Sequence, residues 1–148
     1  MHLSKRTQYG LRAAVRLARQ FHAASDDASP YVQSRDLAEV ERLPTKFLEQ
    51  VLLILRRAEL LESKVGSGGG YRLGRPPEQI SVGQLLDALE PPAELDRVDP
   101  PTLGCRAVEL VTAAIDGCRA GECNGWTLAD LAADAARRAE KADAMYYI

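Results

Sequence analysis

Leu60-Leu61-Glu62-Ser63-Lys64-Val65-Gly66-Ser67-Gly68-Gly69-Gly70-Tyr71-Arg72-Leu73 sets two short apolar segments on either side of a turn in which four of five residues are glycine. The pattern predicts a β-hairpin, because glycine adopts positive φ without steric cost and closes a tight tip. A tip without side chains also lets backbone approach a ligand's phosphates. Two enzyme readings of the glycine run fail. A dinucleotide fingerprint needs glycine at its first, third and sixth positions, and counted from Gly66 the sixth is Tyr71. A Walker-type loop ends in Gly-Lys-Ser/Thr and enters a helix, whereas Tyr71-Arg72-Leu73-Gly74 and a pair of prolines follow here.

What the tip faces depends on the segments before it. Ser4 is placed to cap a first helix over about 4–23, with Leu11, Ala14, Val15, Ala18 and Phe21 recurring at three- and four-residue steps. Ala24 to Pro30 is small, polar and acidic, and predicts a loop. Ser34 is placed to cap a short second helix with Leu37, Ala38 and Val40 on its apolar side, ending near Glu41-Arg42-Leu43. Pro44 opens a third, since its fixed φ and missing N–H are tolerated in a first turn. Leu48, Val51, Leu52 and Leu55 form the buried stripe of that helix. Two helices joined by a few residues and followed by a hairpin make a helix-turn-helix with a wing. The outer face of the third helix carries Thr45, Lys46, Glu49, Gln50, Arg56 and Arg57. These side-chain types reach base edges and phosphates in a major groove; the competing reading is a plain solvated face.

Beyond the hairpin, Ser81-Val82-Gly83-Gln84 predicts a capping box, with Ile80 and Leu85 as a hydrophobic staple and Val82, Leu85, Leu86 and Leu89 as the stripe of a fourth helix. Pro91 and Pro92 end it, and an acidic, proline-rich linker runs over 91–101. A fifth helix is expected over 103–117, with Val108, Val111, Ile115 and Cys118 on one stripe and Leu103 and Leu110 beside it. So much apolar surface on an appended helix calls for a partner subunit. Gly117 to Gly125 reads as a turn, Trp126 as a packing residue, and Thr127 as the cap of a last helix beginning Thr-Leu-Ala-Asp.

The 148 residues carry a net charge of −2 that conceals an asymmetry. Residues 1–75 hold 13 Lys and Arg against 8 Asp and Glu, and residues 76–148 hold 6 against 13. The basic half is the one with the hairpin, as a nucleic-acid footprint requires. No run of about 18 apolar residues and no N-terminal apolar core occurs, so a cytoplasmic protein without membrane contact is expected. Three irregularly spaced cysteines argue against a disulfide framework.

Several motifs together resemble the bacterial IscR/NsrR/CymR transcription regulators, the Rrf-two family. They are Met1-His2-Leu3-Ser4 with Tyr9 and Leu11, Phe47-Leu48-Glu49-Gln50 with Leu55, Gly66 to Leu73, Ile80-Ser81-Val82 with Leu86, and Thr127-Leu128-Ala129-Asp130-Leu131. They cover nearly the whole chain. The resemblance implies a mostly α fold with a small β-hairpin wing: a winged helix-turn-helix DNA-binding domain over 1–90 and a helical dimerisation and sensing region over 102–148. It implies a homodimer held by crossed helices equivalent to 103–117, binding double-stranded DNA at an imperfect palindrome, typically as a repressor, and no catalysis. Residue by residue, Lys46, Phe47, Glu49 and Gln50 fall on the recognition helix beside Thr45 and Arg56. Ser67, Gly68 and Gly69 fall on the wing tip and Tyr71 on its closing aromatic, and the matched Ser4 and Tyr9 complete the expected DNA-binding set. One departure is Val65, where the family often has a basic residue; Lys64 sits one step earlier, on the alternate strand face.

Family members often hold an iron-sulfur cluster on three closely spaced cysteines before the dimer helix. Here the cysteines are Cys105, Cys118 and Cys123, and only Cys105 lies near a family ligand position; the two upstream positions fall among Asp96, Arg97, Val98 and Asp99. Cys105 and Cys118 are 13 residues apart, about 19 Å along a helix, which disfavours a cluster. A reversible Cys118–Cys123 disulfide with Arg119 favouring a thiolate, and thiols with no sensing role, both stay open. His2 and His22 have no zinc-ligand spacing, and His22 suits the C-terminal dipole of the first helix. The rival function is a winged-helix protein-interaction module without direct DNA binding.

Overall fold

The computed structural model describes residues 2–24, 29–90, 95 and 99–147. Along the chain run α1 (Lys5–Ala23), α2 (Ser34–Glu41), α3 (Thr45–Arg57), β1 (Leu61–Lys64), β2 (Gly70–Leu73), a 3-10 turn (Pro77–Gln79), α4 (Val82–Leu89), α5 (Leu103–Asn124) and α6 (Leu128–Tyr146). The expected Ala24–Pro30 loop, the proline stop at Pro91 and Pro92, and Asp96, Arg97 and Val98 lie wholly or mostly outside the described residues.

α1 starts where expected: Ser4 is extended and its hydroxyl accepts the Thr7 N–H at 3.1 Å. The Ser4 N–H donates to Glu90 Oε1 at 2.8 Å and Arg6 Nε to the Leu89 carbonyl at 2.7 Å, so the N-terminus is strapped to the end of α4. Those donors, the Ser4 amide first and then the Thr7 and Ser4 hydroxyls, hold the Glu90 carboxyl below the ordinary carboxylate range. The buried arc of α1 is wider than the predicted stripe. Ala13, Ala14, Leu17 and Ala18 are buried while Leu11, Val15 and Phe21 flank them, because α1 packs against α2, α3, α4 and α6 at once.

Ser34 is not a cap. It is the first residue of α2, Gln33 occupies the cap position without a side-chain bond, and the Ser34 hydroxyl goes elsewhere. Leu37 and Ala38 face the core as expected, but Val40 is exposed. Arg42, in the left-handed region at φ 53°, ends the helix where glycine is more usual, and Leu43 turns back inside. Pro44 then precedes α3, whose Leu48, Val51, Leu52 and Leu55 are all buried.

The hairpin pairs Leu61 with Leu73, Glu62 with Arg72, Ser63 with Tyr71 and Lys64 with Gly70. A single residue from the α1–α2 connection, Val32, bridges Tyr71 through bonds of 2.9 and 2.7 Å and acts as a third strand. Both capping boxes form, at Ser81/Gln84 and at Thr127/Asp130. Val82 donates to the Trp126 carbonyl at 2.8 Å and Leu128 to that of Ile80 at 2.7 Å, tying the start of α6 to the start of α4. Leu128 and Ala132 of α6 thereby join the core built by Leu17, Leu37, Leu48, Leu52, Leu55 and Leu89.

α5 runs seven residues past its expected end at Gly117, through to Asn124, so the Gly117–Gly125 stretch is helix rather than turn. It lies antiparallel to α4: Arg119 Nη2 meets Asp87 Oδ1 at 3.0 Å, and Asn124 sits over Gly83 and Ser81. Since α4 ends at Leu89, roughly the first twelve residues of α5 overhang the body, about 18 Å of helix.

Candidate nucleic-acid interface

The four leucine and valine side chains that bury one side of α3 turn its other side outward. Lys46, Glu49, Gln50, Arg56 and Arg57 are exposed there and Thr45 is half-buried. Phe47 keeps 36% of its surface exposed. Its ring meets Tyr9 edge-on, centroids 5.4 Å apart at 88°, so this pair braces the start of α3 against α1. Glu49 Oε1 accepts from the Ser34 hydroxyl at 3.0 Å. Among the described residues, no ion pair involves Lys46, Arg56, Arg57 or Lys64. Ser4 is committed to capping α1 and to Glu90.

The wing's glycines divide into two kinds. Gly66 and Gly68 have φ of 99° and 74° with open space where a Cβ would stand, so they serve the turn, closed by the Gly69 N–H on the Gly66 carbonyl at 3.0 Å. Gly69 is buried, and a Cβ there would overlap the Lys64 carbonyl; one on Gly70, at φ 136°, would overlap that of Val32. Half of the glycine run therefore admits this protein's own backbone, and Gly66, Ser67 and Gly68 are what the tip exposes. Tyr71 is half-buried at the root.

Val65 projects at 96% exposure, but the wing's cations lie on the face holding Tyr31. The Arg72 guanidinium is 4.5 Å from the Tyr31 ring centroid and Lys64 Nζ is 6.0 Å from it, while Arg72 Nε and Nη2 both bond Glu62 Oε2. An open groove lined by Tyr31, Arg56, Glu59, Glu62 and Ser63 joins the end of α3 to this face. Tyr31, Arg72 and Ser34 were not among the expected site residues; each acquires its place through a contact distant in sequence, which no local motif announces.

All three cysteines lie on α5. The thiols of Cys105 and Cys118 stand about 19 Å apart along it, whereas cluster ligands converge within several Å, so one protomer's thiols do not fit a cluster. Among the described residues, no group of three or more His, Cys, Asp or Glu could hold a metal ion. Cys118 and Cys123 are five residues apart in continuous helix, roughly 8–9 Å between Cα atoms, beyond the ~7 Å limit for a disulfide. The continuous helix therefore holds these two thiols apart, and Arg119 is engaged by Asp87. The Thr102 hydroxyl, donating to Cys105 Sγ at 3.2 Å, holds that thiol below its ordinary range. His22 Nε2 lies 3.0 Å from Glu78 Oε1. Trp126, expected to pack, is 57% exposed because only its backbone carbonyl is used in the α4–α6 joint.

No residue of α5 is buried; Leu103 is 86% and Leu110 73% exposed, with Val108, Val111 and Ile115 beside them. This overhanging apolar helix is a second surface, separate from the α3 face and the wing.

Comparison with known proteins gives consistent results. A family model described as "Rrf2: Iron-dependent Transcriptional regulator" matches residues 3–134. The chain is similar to Protein rrf2 of Nitratidesulfovibrio vulgaris, 30% identical over 140 residues that cover 91% of this chain and 89% of that one. It is 36% identical over 90 residues to the HTH-type transcriptional regulator IscR of Cereibacter sphaeroides, covering 61% of this chain and 56% of the relative. Among solved structures it resembles T. potens IscR, with TM-score 0.65, 30% identity and coverage of 91% and 88%. It also resembles CymR, the global cysteine regulator of B. subtilis, with TM-score 0.63, 26% identity and coverage of 90% and 97%.

Proposed function

Since the chain belongs to the Rrf2 family of transcriptional regulators, we propose that it acts as a homodimeric repressor, two winged helices gripping the halves of a palindromic operator. It is a DNA-binding transcription regulator; the relatives support that reading over an interaction module without DNA. The observation that carries the proposal is the exposed side of α3, where Lys46, Arg56 and Arg57 lack acidic partners among the described residues and Glu49 and Gln50 stand beside Lys46. Lysine and arginine neutralise phosphate and release counterions, which supplies affinity. Glutamine reads adenine and glutamate accepts from cytosine, which supplies discrimination. The Ser67-Gly68 tip offers its backbone and the Ser67 hydroxyl to an adjacent phosphate.

The overhanging half of α5 supplies the dimer. Burying Leu103, Leu110 and Val111 against a second copy removes exposed apolar surface, and a two-fold pair of reading heads matches a palindrome. Iron, named in the family description, finds no matching donor set in the three thiols of one protomer. Among the described residues, no helix is long and apolar enough to cross a membrane, and we place the regulator in the cytoplasm with its DNA.

Selection from a random duplex library at low salt, followed by footprinting, tests the proposal. An enriched palindrome bound with a steep salt dependence is expected. Lys46→Glu should weaken binding to all sequences, while Glu49→Ala should relax preference at one base position per half-site. Recovery of no palindrome would overturn it.

A further inference from the structure

Among the described residues, Glu49 is the one candidate base-reading side chain on α3 that another residue holds by a hydrogen bond. An exposed glutamate on a helix samples many rotamers, and fixing it on DNA costs side-chain entropy. Here the Ser34 hydroxyl, on the first residue of α2, donates to Glu49 Oε1 at 3.0 Å. Ser34 is free to do so because the α2 cap position belongs to Gln33, and it is half-buried at the junction of the two helices. Its partner Glu49 stays exposed, and Oε2 carries no protein bond among the described residues. The bond thus fixes the carboxylate while leaving one oxygen to accept from a base.

We infer that Ser34 is a specificity-determining positioning residue, presetting the Glu49 carboxylate to accept from a cytosine amino group in the major groove. The inference rests on the proposed base-reading role of Glu49. Ser34 touches no base itself; it acts by restricting Glu49 before DNA arrives, as preorganisation requires. A neutral hydroxyl suits this task. A lysine or arginine at position 34 would also hold the carboxylate, but would add phosphate affinity for every sequence.

The test compares wild type, Ser34→Ala, Ser34→Thr, Glu49→Ala and the Ser34→Ala/Glu49→Ala double variant. Each is titrated by fluorescence anisotropy against the selected operator, the three other base variants at the position that Glu49→Ala relaxes, and an unrelated duplex, at several salt concentrations. Ser34→Ala should lower the preference for the favoured base between about two- and tenfold, the span of one hydrogen bond. Its affinity for the unrelated duplex and its salt slope should match wild type, which a general loss of structure would not allow. Ser34→Thr should restore the preference, and in the Glu49→Ala background the serine change should have no further effect. Unchanged discrimination in Ser34→Ala, or an equal loss on every duplex, overturns the inference alone. Wild-type protein without preference at any position overturns the base-reading proposal and this inference with it.

Discussion

Replacing Gly70 with alanine should cost far more than its place in a wing suggests. At φ 136° an L-residue is strained, and its Cβ would overlap the Val32 carbonyl. The strand must then move away, and the two Val32–Tyr71 hydrogen bonds, at 2.9 and 2.7 Å, are lost. Backbone strain of about 1–3 kcal/mol and two bonds worth about 0.5–1.5 kcal/mol each combine to about 2–6 kcal/mol. In a chain of this size that lowers the melting temperature by roughly 5 °C or more. Gly68→Ala is the control: its φ is also positive, but a Cβ there meets nothing within 4 Å, so only the conformational cost of about 1–2 kcal/mol applies. Thermal denaturation of both variants, with amide exchange at Val32 and Tyr71, separates the contributions. Gly70→Ala should melt below Gly68→Ala and lose protection at both amides. A Gly70 variant that melts with wild type and keeps those amides protected would refute the packing argument.

Leu110→Asp places a charge in the exposed apolar side of α5; sedimentation should show a monomer with unchanged helicity and much weaker operator binding, and a persistent dimer would exclude this face. Glu90→Gln tests the strap between α1 and α4. Because the folded carboxyl is held below its unfolded value, its contribution is complete above the unfolded pKa and vanishes as the pH falls through the folded one. The variant should therefore be less stable than wild type at neutral pH, with the gap closing in acid; urea midpoints showing a constant gap would contradict it. Protein purified anaerobically should be colourless and free of stoichiometric iron, since its thiols do not converge, and visible charge-transfer absorption would overturn that expectation.

Elements with a local chemical signature were legible beforehand. The Ser81/Gln84 and Thr127/Asp130 boxes, the apolar stripe of α3 and the glycine-closed hairpin all form as the residue pattern requires. Features set by distant contacts were not. Val32 is a strand of one residue and shows no periodicity. Gly117 to Gly125 reads as a turn in sequence, yet α5 continues through to Asn124, although glycine is a poor helix former, anchored by Arg119 on Asp87 and Asn124 over Gly83. Ser34 has the chemistry of a cap, but Glu49 on the next helix claims its hydroxyl. The wing glycines looked uniform in sequence; only tertiary packing separates those that turn the chain from those that admit a neighbouring backbone.

The α4–α6 joint makes α5 a lever clamped at one end. With Val82 bonded to Trp126 and Leu128 to Ile80, the C-terminal end of α5 is held where α4 and α6 meet. In the proposed dimer, the length of that lever then sets the distance and phase between the two reading heads. One residue inserted near Gly117 would rotate the outer arm by about 100° and advance it by about 1.5 Å, shifting the half-site spacing the pair accepts, whereas four added residues would nearly restore the phase.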